Sequence, residues 1–288
     1  MELHRVPLFL RFGILLLAVL FLYYRDSEDS QHNRLRRRLD HGILQTEYQG
    51  RTSGRRRLGA EGDVHRYTSD MAKWLKDSGQ GKLYDTYIGT QSKKLTMFLP
   101  KILVIDRERQ KQVVQEMRQV IGSQTAGITT WHRKTVLCLG ARLGGEVRAF
   151  KELGAIALGI DLNPGEASME VLAGDFHHIM FPDGSFDYLF SNVLDHVFSD
   201  DMLATEAHRV LAPGGIFMAS VFPDVSDRWN GREGVSIENR DKFAALMAKK
   251  GFVLKTETEM EYVIEFPPEL HKNPWNNRIL TMFFEKQE

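Results

Sequence analysis

A single cysteine, Cys138, occurs in 288 residues, which excludes an intrachain disulfide framework. The chain has no excess charge either: 38 basic and 38 acidic side chains cancel, and nothing in that balance asks for a nucleic-acid partner. It has no Asn-x-Ser/Thr glycosylation acceptor, which weighs mildly against a lumenal placement without excluding it. No internal repeat is present. Cys138 lies inside the apolar run TVLCLG and reads as a buried small hydrophobe, not a reactive thiol. The chain is 42% hydrophobic, enough for one sizeable globular domain and a modest extension.

The extension is N-terminal. Residues 6–24, VPLFLRFGILLLAVLFLYY, match the roughly 20 apolar residues that span a bilayer, with Arg11 near one end where it can snorkel. An uncleaved signal anchor over 1–24 is expected, because no small-residue cleavage site follows; a cleaved signal peptide and an apolar packing helix are the alternatives. This implies a single-pass membrane protein of the Golgi or endoplasmic reticulum. Arg5 and Arg11 favour a cytoplasmic N-terminus and a lumenal domain, while the RLRRR run at 34–38 argues for the reverse. Residues 25–62, rich in Arg, Ser, Gln and Gly, read as a flexible stem, with contact to anionic lipid or an acidic polymer as the other reading.

Residues 63–288 are expected to form the folded domain. Val113, Val114, Met117, Val120 and Ile121 recur at helical spacing and predict an amphipathic helix over 106–121. Strands and helices then alternate. KTVLCLG is a strand, GGEVRAFKELG a helix stopped by Gly154, AIALGID and SFDYLFSN further strands. Leu203, Ala204, Ala207, Val210 and Leu211 mark a helix capped near Asp200 and ended by APGG. GIFMASV, a helix near 239–250, FVLKTETEM and RILTMFFEK complete the pattern. This alternation implies an α/β fold, a doubly wound Rossmann-like and mostly parallel sheet. The last two strands lack a crossover helix between them and are expected to pair antiparallel at one edge.

In such a sheet the ligand lies over the carboxyl ends of the strands, beside the first strand-to-helix turn. Here that turn is GARLGG: Gly140 ends the strand, and Gly144 and Gly145 open the helix with free N–H groups. Asp161 ends the second strand about 20 residues later, where a carboxylate accepts from ribose hydroxyls. Together they predict a nucleoside cofactor.

Four segments in order, VLCLGARLGGEV, ALGIDLNPG, AGDFHHIMFPDGSFDYLFSNVLDHV and EAHRVLAPGGIFMAS, resemble the class I S-adenosylmethionine-dependent methyltransferases, more narrowly their type-11 domain, over about 134–221. The resemblance implies S-adenosyl-L-methionine as cofactor. It implies that Gly140, Ala141, Arg142 and Gly144 border its methionine part, Asp161 and Leu162 its ribose, and Asp175 and Phe176 its adenine, with Ser191 and Asn192 under the sulfonium. The paired-strand ending fits the same family. Two positions depart from it. Cys138 stands where the family usually has an acid, and Glu146 is the candidate to replace that carboxylate. Arg142 stands where glycine is usual, and its side chain either turns outward or grips the cofactor carboxylate. The connection from Asp161 to MEVLAGD is short, which predicts an abbreviated turn and a more open adenine side.

A sulfonium is an activated methyl donor, so the protein has to align donor and acceptor and remove a proton where the acceptor is a hydroxyl or amine. His196 is the candidate base, with a packing role for it, and for Asp195, as the alternative. His177 and His178 are placed at the mouth of the site, with no companions at metal-ligand spacing. The insert 222–236 carries Arg228, Trp229, Asn230 and Arg232, a mix suited to a sugar or another polar acceptor. The leading reading is a membrane-tethered methyltransferase acting on a small molecule or glycan; a dinucleotide oxidoreductase and a non-catalytic scaffold are the alternatives.

Overall fold

Strands that are apolar on both sides have to be covered on both faces, and the chain builds such a sheet. The computed structural model describes residues 77, 81–124, 126–164, 170–223, 234–265 and 275–287, all within one unit, Gly62–Glu288. In chain order they form α1 (Gly81–Met97), α2 (Leu99–Ser123), β1 (Thr135–Leu139), α3 (Gly145–Glu152), β2 (Ile156–Asp161), β3 (Val171–Ala173), β4 (Phe186–Ser191), a 3₁₀ turn (Leu194–His196), α4 (Asp200–Val210), β5 (Leu211–Val221), α5 (Arg240–Lys249), β6 (Phe252–Ile264) and β7 (Trp275–Lys286).

The strand order is β3-β2-β1-β4-β5-β7-β6. β1 pairs parallel with β2 and β4, and β4 with β5, while β7 runs antiparallel between β5 and β6. The antiparallel ending is therefore as the sequence implies, with the final strand lying inside and β6 forming the edge. Alternation along each strand divides the core. Val136, Cys138, Tyr188, Phe190 and Met218 face α2 and α3, packing on Val113, Met117, Val147 and Phe150. Leu137, Leu139, Leu189, Phe217 and Met282 face α4 and α5, packing on Leu203, Ala207, Phe243 and Met247. Because the order reverses between β1 and β4, a crevice opens at their carboxyl ends, where Gly140 and Asn192 emerge.

Several boundaries differ from the sequence reading. The helix expected over 106–121 begins at Leu99, where Pro100 occupies its first turn; Leu99 and Leu103 point to solvent there, so the inward period is missing. α1 carries no amphipathic signal and was not anticipated: of its side chains Ile88 and Gln91 are the buried ones that the structure describes. The cap of α4 is Ser199, whose hydroxyl accepts from Met202 N at 3.2 Å, one residue before Asp200. APGG does not end α4 but belongs to β5.

One expectation is corrected. Among the described residues no helix is long and apolar enough to cross a membrane, which overturns the single-pass placement with a lumenal domain. The longest described helix, the 25-residue α2, carries charged side chains through its length. The apolar stretch 6–24 and the stem 25–62 lie outside the described residues, as do 224–233 with Arg228, Trp229, Asn230 and Arg232, and 165–169 after β2.

Candidate active site

The turn after β1 is set by its backbone. Gly140 N and Ala141 N both donate to Ile160 O, at 2.8 and 3.2 Å, pinning the turn to the end of β2. A Cβ on Gly140 would lie 2.2 Å from Val193 Cγ2, so the turn tolerates no side chain where it passes the exit of β4. Gly144 takes φ +83° as the residue before α3. Between them Arg142 has φ +38°: it replaces a glycine in sequence and keeps the left-handed backbone a glycine would adopt. Its N–H donates to Asp161 Oδ2 at 3.0 Å, and its guanidinium donates to Gln91 Oε1 of α1 at 2.5 Å. The side chain is turned onto α1, which is neither the outward course nor the grip on a cofactor carboxylate that the sequence left open.

A cavity of about 460 Å³ begins at this turn, with Gly140, Ala141, Arg142 and Glu146 in its inner wall, and continues past Asn192 and His196. Glu146 is buried and accepts from Asn192 Nδ2 at 2.7 Å. Arg109 Nη1 of α2 stands 4.0 Å from the same carboxylate oxygen, its guanidinium 5.1 Å from the centre of the Phe222 ring. Burial pushes the Glu146 carboxyl above its ordinary range, and Arg109 and Asn192 oppose that shift. The Cys138 thiol is pushed well up, first by burial and then by the charge of Glu146. Glu146 therefore brings a carboxylate, from the first turn of α3, into the neighbourhood of the position that lost one. Beside it Asp106 accepts from Gly145 N at 2.9 Å and pairs with Arg148, its carboxyl raised by burial against the pull of Arg148.

A second, smaller space of about 40 Å³ lies on the other side of Gly140 and Arg142, between Asp161, Leu162, Phe176 and His196. α1 covers it. Tyr87, Ile88 and Gln91 form the cover, the Tyr87 ring meets His196 and Phe198 edge-on at 5.8 and 5.1 Å, and Asn163 Nδ2 donates to Ser92 Oγ at 3.2 Å. α1 thus covers the space beside Asp161; residues 165–169 of the short connection, on which the expectation of an open side rested, lie outside the described residues. Asp161 accepts from Arg142 N and, at 2.7 Å, from Asn163 N, one bond per oxygen, which leaves lone pairs on both.

Gly144, Asp175 and Ser191 line neither of these two cavities. Gly144 precedes α3. Ser191 Oγ donates to Leu139 O at 3.3 Å and ties β4 to β1. Asp175 is buried and accepts from His177 N and His177 Nδ1 at 2.8 and 2.7 Å. His177 is also not at the mouth of the site. Its Nε2 accepts from the backbone N–H groups of Phe198 and Ser199 at 3.2 and 3.3 Å, which fixes the proton on Nδ1 and clamps the segment after β3 to the start of α4. Among the described residues no group of His, Cys, Asp and Glu has the arrangement of a metal site. His196 belongs to the 3₁₀ turn, borders both cavities and has Nε2 3.6 Å from Asp195 Oδ2. Arg109 and Gln91 carry no signal in the sequence, because both lie upstream of the motif-bearing segment on helices without a cofactor signature.

Residues 137–219 match a family model described as a methyltransferase domain. A curated relative, the malonyl-[acyl-carrier protein] O-methyltransferase 1 of Coxiella burnetii, is 37% identical over 97 residues, 31% of this chain and 34% of that protein. The chain thus spans about a third of that relative's length. Similar solved structures include the YcgJ protein of Bacillus subtilis, 16% identical with a TM-score of 0.43, covering 59% of this chain and 99% of that one. Another is an S-adenosylmethionine-dependent methyltransferase of Mesorhizobium loti, 17% identical with a TM-score of 0.41, covering 58% and 97%. The matched segment runs from β1 into β5, the strands that frame the crevice, and it is this part of the chain that is similar to methyltransferase domains.

Proposed function

We propose that the protein transfers the methyl group of S-adenosyl-L-methionine to a small acceptor, either a free small molecule or a sugar unit of a glycan. The observation that carries this reading is the continuity of the larger cavity, about 460 Å³, from the turn Gly140–Arg142 and the Glu146–Arg109 pair to His196. A carboxylate beside a guanidinium suits the ammonium and carboxylate of an amino acid, so Glu146 and Arg109 would hold the methionine end. Asp161 would accept from the ribose hydroxyls, while Leu162 and Phe176 would border the nucleoside. The donor set therefore fits the cofactor. The nucleoside side fits after a movement: about 40 Å³ is room for a few water molecules, at roughly 10–15 Å³ of such space each, and falls short of a nucleoside, so Tyr87, Ile88 and Gln91 have to shift.

When bound, the cofactor supplies a sulfonium methyl that needs no further activation. The chain's part is to orient the acceptor and to exclude water; a hydroxyl or amine acceptor also has to lose a proton, and His196, which borders both cavities, is the candidate to receive it, with packing as its other role. The non-catalytic reading loses its motive, since Arg142 keeps the left-handed turn and Glu146 stands near Cys138. The Coxiella relative is named for O-methylation of a malonyl group on a carrier protein; only the transfer itself is extended to this chain. Calorimetric titration of the protein with S-adenosylmethionine and with NAD tests the reading. Saturable binding of the first and none of the second is expected, and the reverse would overturn it.

A further inference from the structure

Two phenyl rings border the small space beside Asp161 from different segments: Phe176, which follows β3, and Phe198, between the 3₁₀ turn and α4. One buried histidine links the two segments. His177, 2% exposed, has its ring 4.6 Å from that of Phe176 and 6.2 Å from that of Phe198, centre to centre. Nδ1 donates to Asp175 Oδ1 at 2.7 Å, and Nε2 accepts from Phe198 N and Ser199 N at 3.2 and 3.3 Å. Both ring nitrogens are therefore in use. Ser199 in turn caps α4. A buried backbone N–H that loses its acceptor is costly, so the histidine ring sets the course of the chain at Phe198.

The other neighbours of Phe198 do not hold it in the same way. Tyr87 meets its ring edge-on at 5.1 Å, and Ile88 belongs to the same apolar cluster. Both come from α1, which has to shift before a nucleoside enters. The bonds to His177 Nε2 involve no atom of α1 and remain when it moves. Asp175 lines neither cavity, and its hydrogen bonds go to the backbone and ring of His177.

We infer that His177, oriented by Asp175, is a positioning residue for the nucleoside end of the cofactor: it keeps Phe198 in place as an aromatic wall of the site once α1 has moved. This rests on the proposed methyltransferase reading and deepens it, because Asp175 then serves the adenine end through His177 and not by touching the ligand.

The test is calorimetric binding of S-adenosylhomocysteine and of 5′-methylthioadenosine to the full chain, well below the unfolding transition of each variant. His177→Asn keeps a donor for Asp175 but is too short to reach Phe198 N and Ser199 N; His177→Gln brings an amide oxygen near the place of Nε2. His177→Asn and Phe198→Ala should each weaken both ligands by about tenfold, with the ratio between the two ligands as in wild type, because the amino-acid end is untouched. His177→Gln should recover most of the loss. The double variant His177→Asn, Phe198→Ala should bind within about threefold of Phe198→Ala alone, since the histidine acts through that ring. A histidine that only supports the fold would lower the melting temperature and leave the affinity of the folded protein unchanged, and that result would overturn the inference. Wild-type affinity in Phe198→Ala, losses that multiply in the double variant, or His177→Gln no better than His177→Asn would each overturn it too. Phe198→Ala, which removes no hydrogen bond, keeps the inference exposed to refutation where His177→Asn does not fold. Failure of the wild-type chain to bind S-adenosylhomocysteine would instead overturn the methyltransferase reading beneath it.

Discussion

Glu146 and Asn192, which come from the first turn of α3 and the exit of β4, are joined at 2.7 Å inside the crevice. The bond orients a buried carboxylate toward the place where the chain has Cys138, and Arg109 completes the group from α2. If this trio holds an amino-acid end, it should distinguish S-adenosylhomocysteine from 5′-methylthioadenosine, which has no such end. Glu146→Gln and Arg109→Gln should each weaken S-adenosylhomocysteine by about 10- to 100-fold, the scale of a lost charged hydrogen bond. Affinity for 5′-methylthioadenosine should stay near wild type. Equal losses for both ligands would mean that the trio is structural.

Arg142 holds φ +38° and is tied by its guanidinium to Gln91 on α1. Left-handed backbone in a residue with a Cβ costs on the order of 1 kcal/mol or more, so Arg142→Gly relieves strain while cutting the tie to α1. Thermal stability should change little, and amide hydrogen exchange over 81–97 should accelerate. Unchanged exchange there would mean that α1 is held without this contact.

His196 lies against Tyr87 and 3.6 Å from Asp195. The account favours a packing role for it: His196→Asn should lower thermal stability and cofactor affinity together, because both the 3₁₀ turn and the seat of Tyr87 loosen. Turnover at saturating cofactor should be largely kept. A loss of turnover by about 10² to 10⁴ with cofactor affinity intact would identify the histidine as the base.

Glu116 is buried where α2 crosses the β6–β7 pair, accepting from Thr258 Oγ1 at 2.8 Å. Burial raises its carboxyl above the ordinary value of 4.5, outweighing the threonine hydrogen bonds. The folded state therefore holds this proton more tightly than the unfolded state, so its contribution is present in full below the unfolded value and is lost as pH rises through the raised one. Glu116→Gln should melt higher than wild type at pH 8, with the difference shrinking toward pH 4. A difference that does not vary with pH would contradict the assignment.

β1, β4 and the second half of β5 could be read in the sequence because they are apolar on both faces: Val136, Leu137, Cys138 and Leu139 all enter the core. The same holds for the glycine turn and Asp161, whose spacing along the chain is the spacing of the fold. α1 could not be read, since it seats itself through Gln91, Ile88 and Tyr87 and not through an apolar stripe. The role of His177 was hidden for a related reason: the N–H groups it accepts from belong to Phe198 and Ser199, 21 and 22 residues along the chain, and backbone donors leave no mark in a sequence. Arg109 reaches Glu146 from a helix that precedes β1, so only the packing of α2 on α3 reveals the pair.

The central claim is that Asp161, beneath the turn and with one backbone bond on each oxygen, completes a nucleoside site for S-adenosylmethionine. The most direct measurement is a calorimetric titration of the wild-type chain and Asp161→Ala with S-adenosylmethionine, each checked for an intact fold by its unfolding transition. The account predicts saturable binding to the wild type and a loss of ~1 to 3 kcal/mol in the variant, the scale of charge-assisted hydroxyl contacts. Undiminished affinity in a folded Asp161→Ala protein would contradict it.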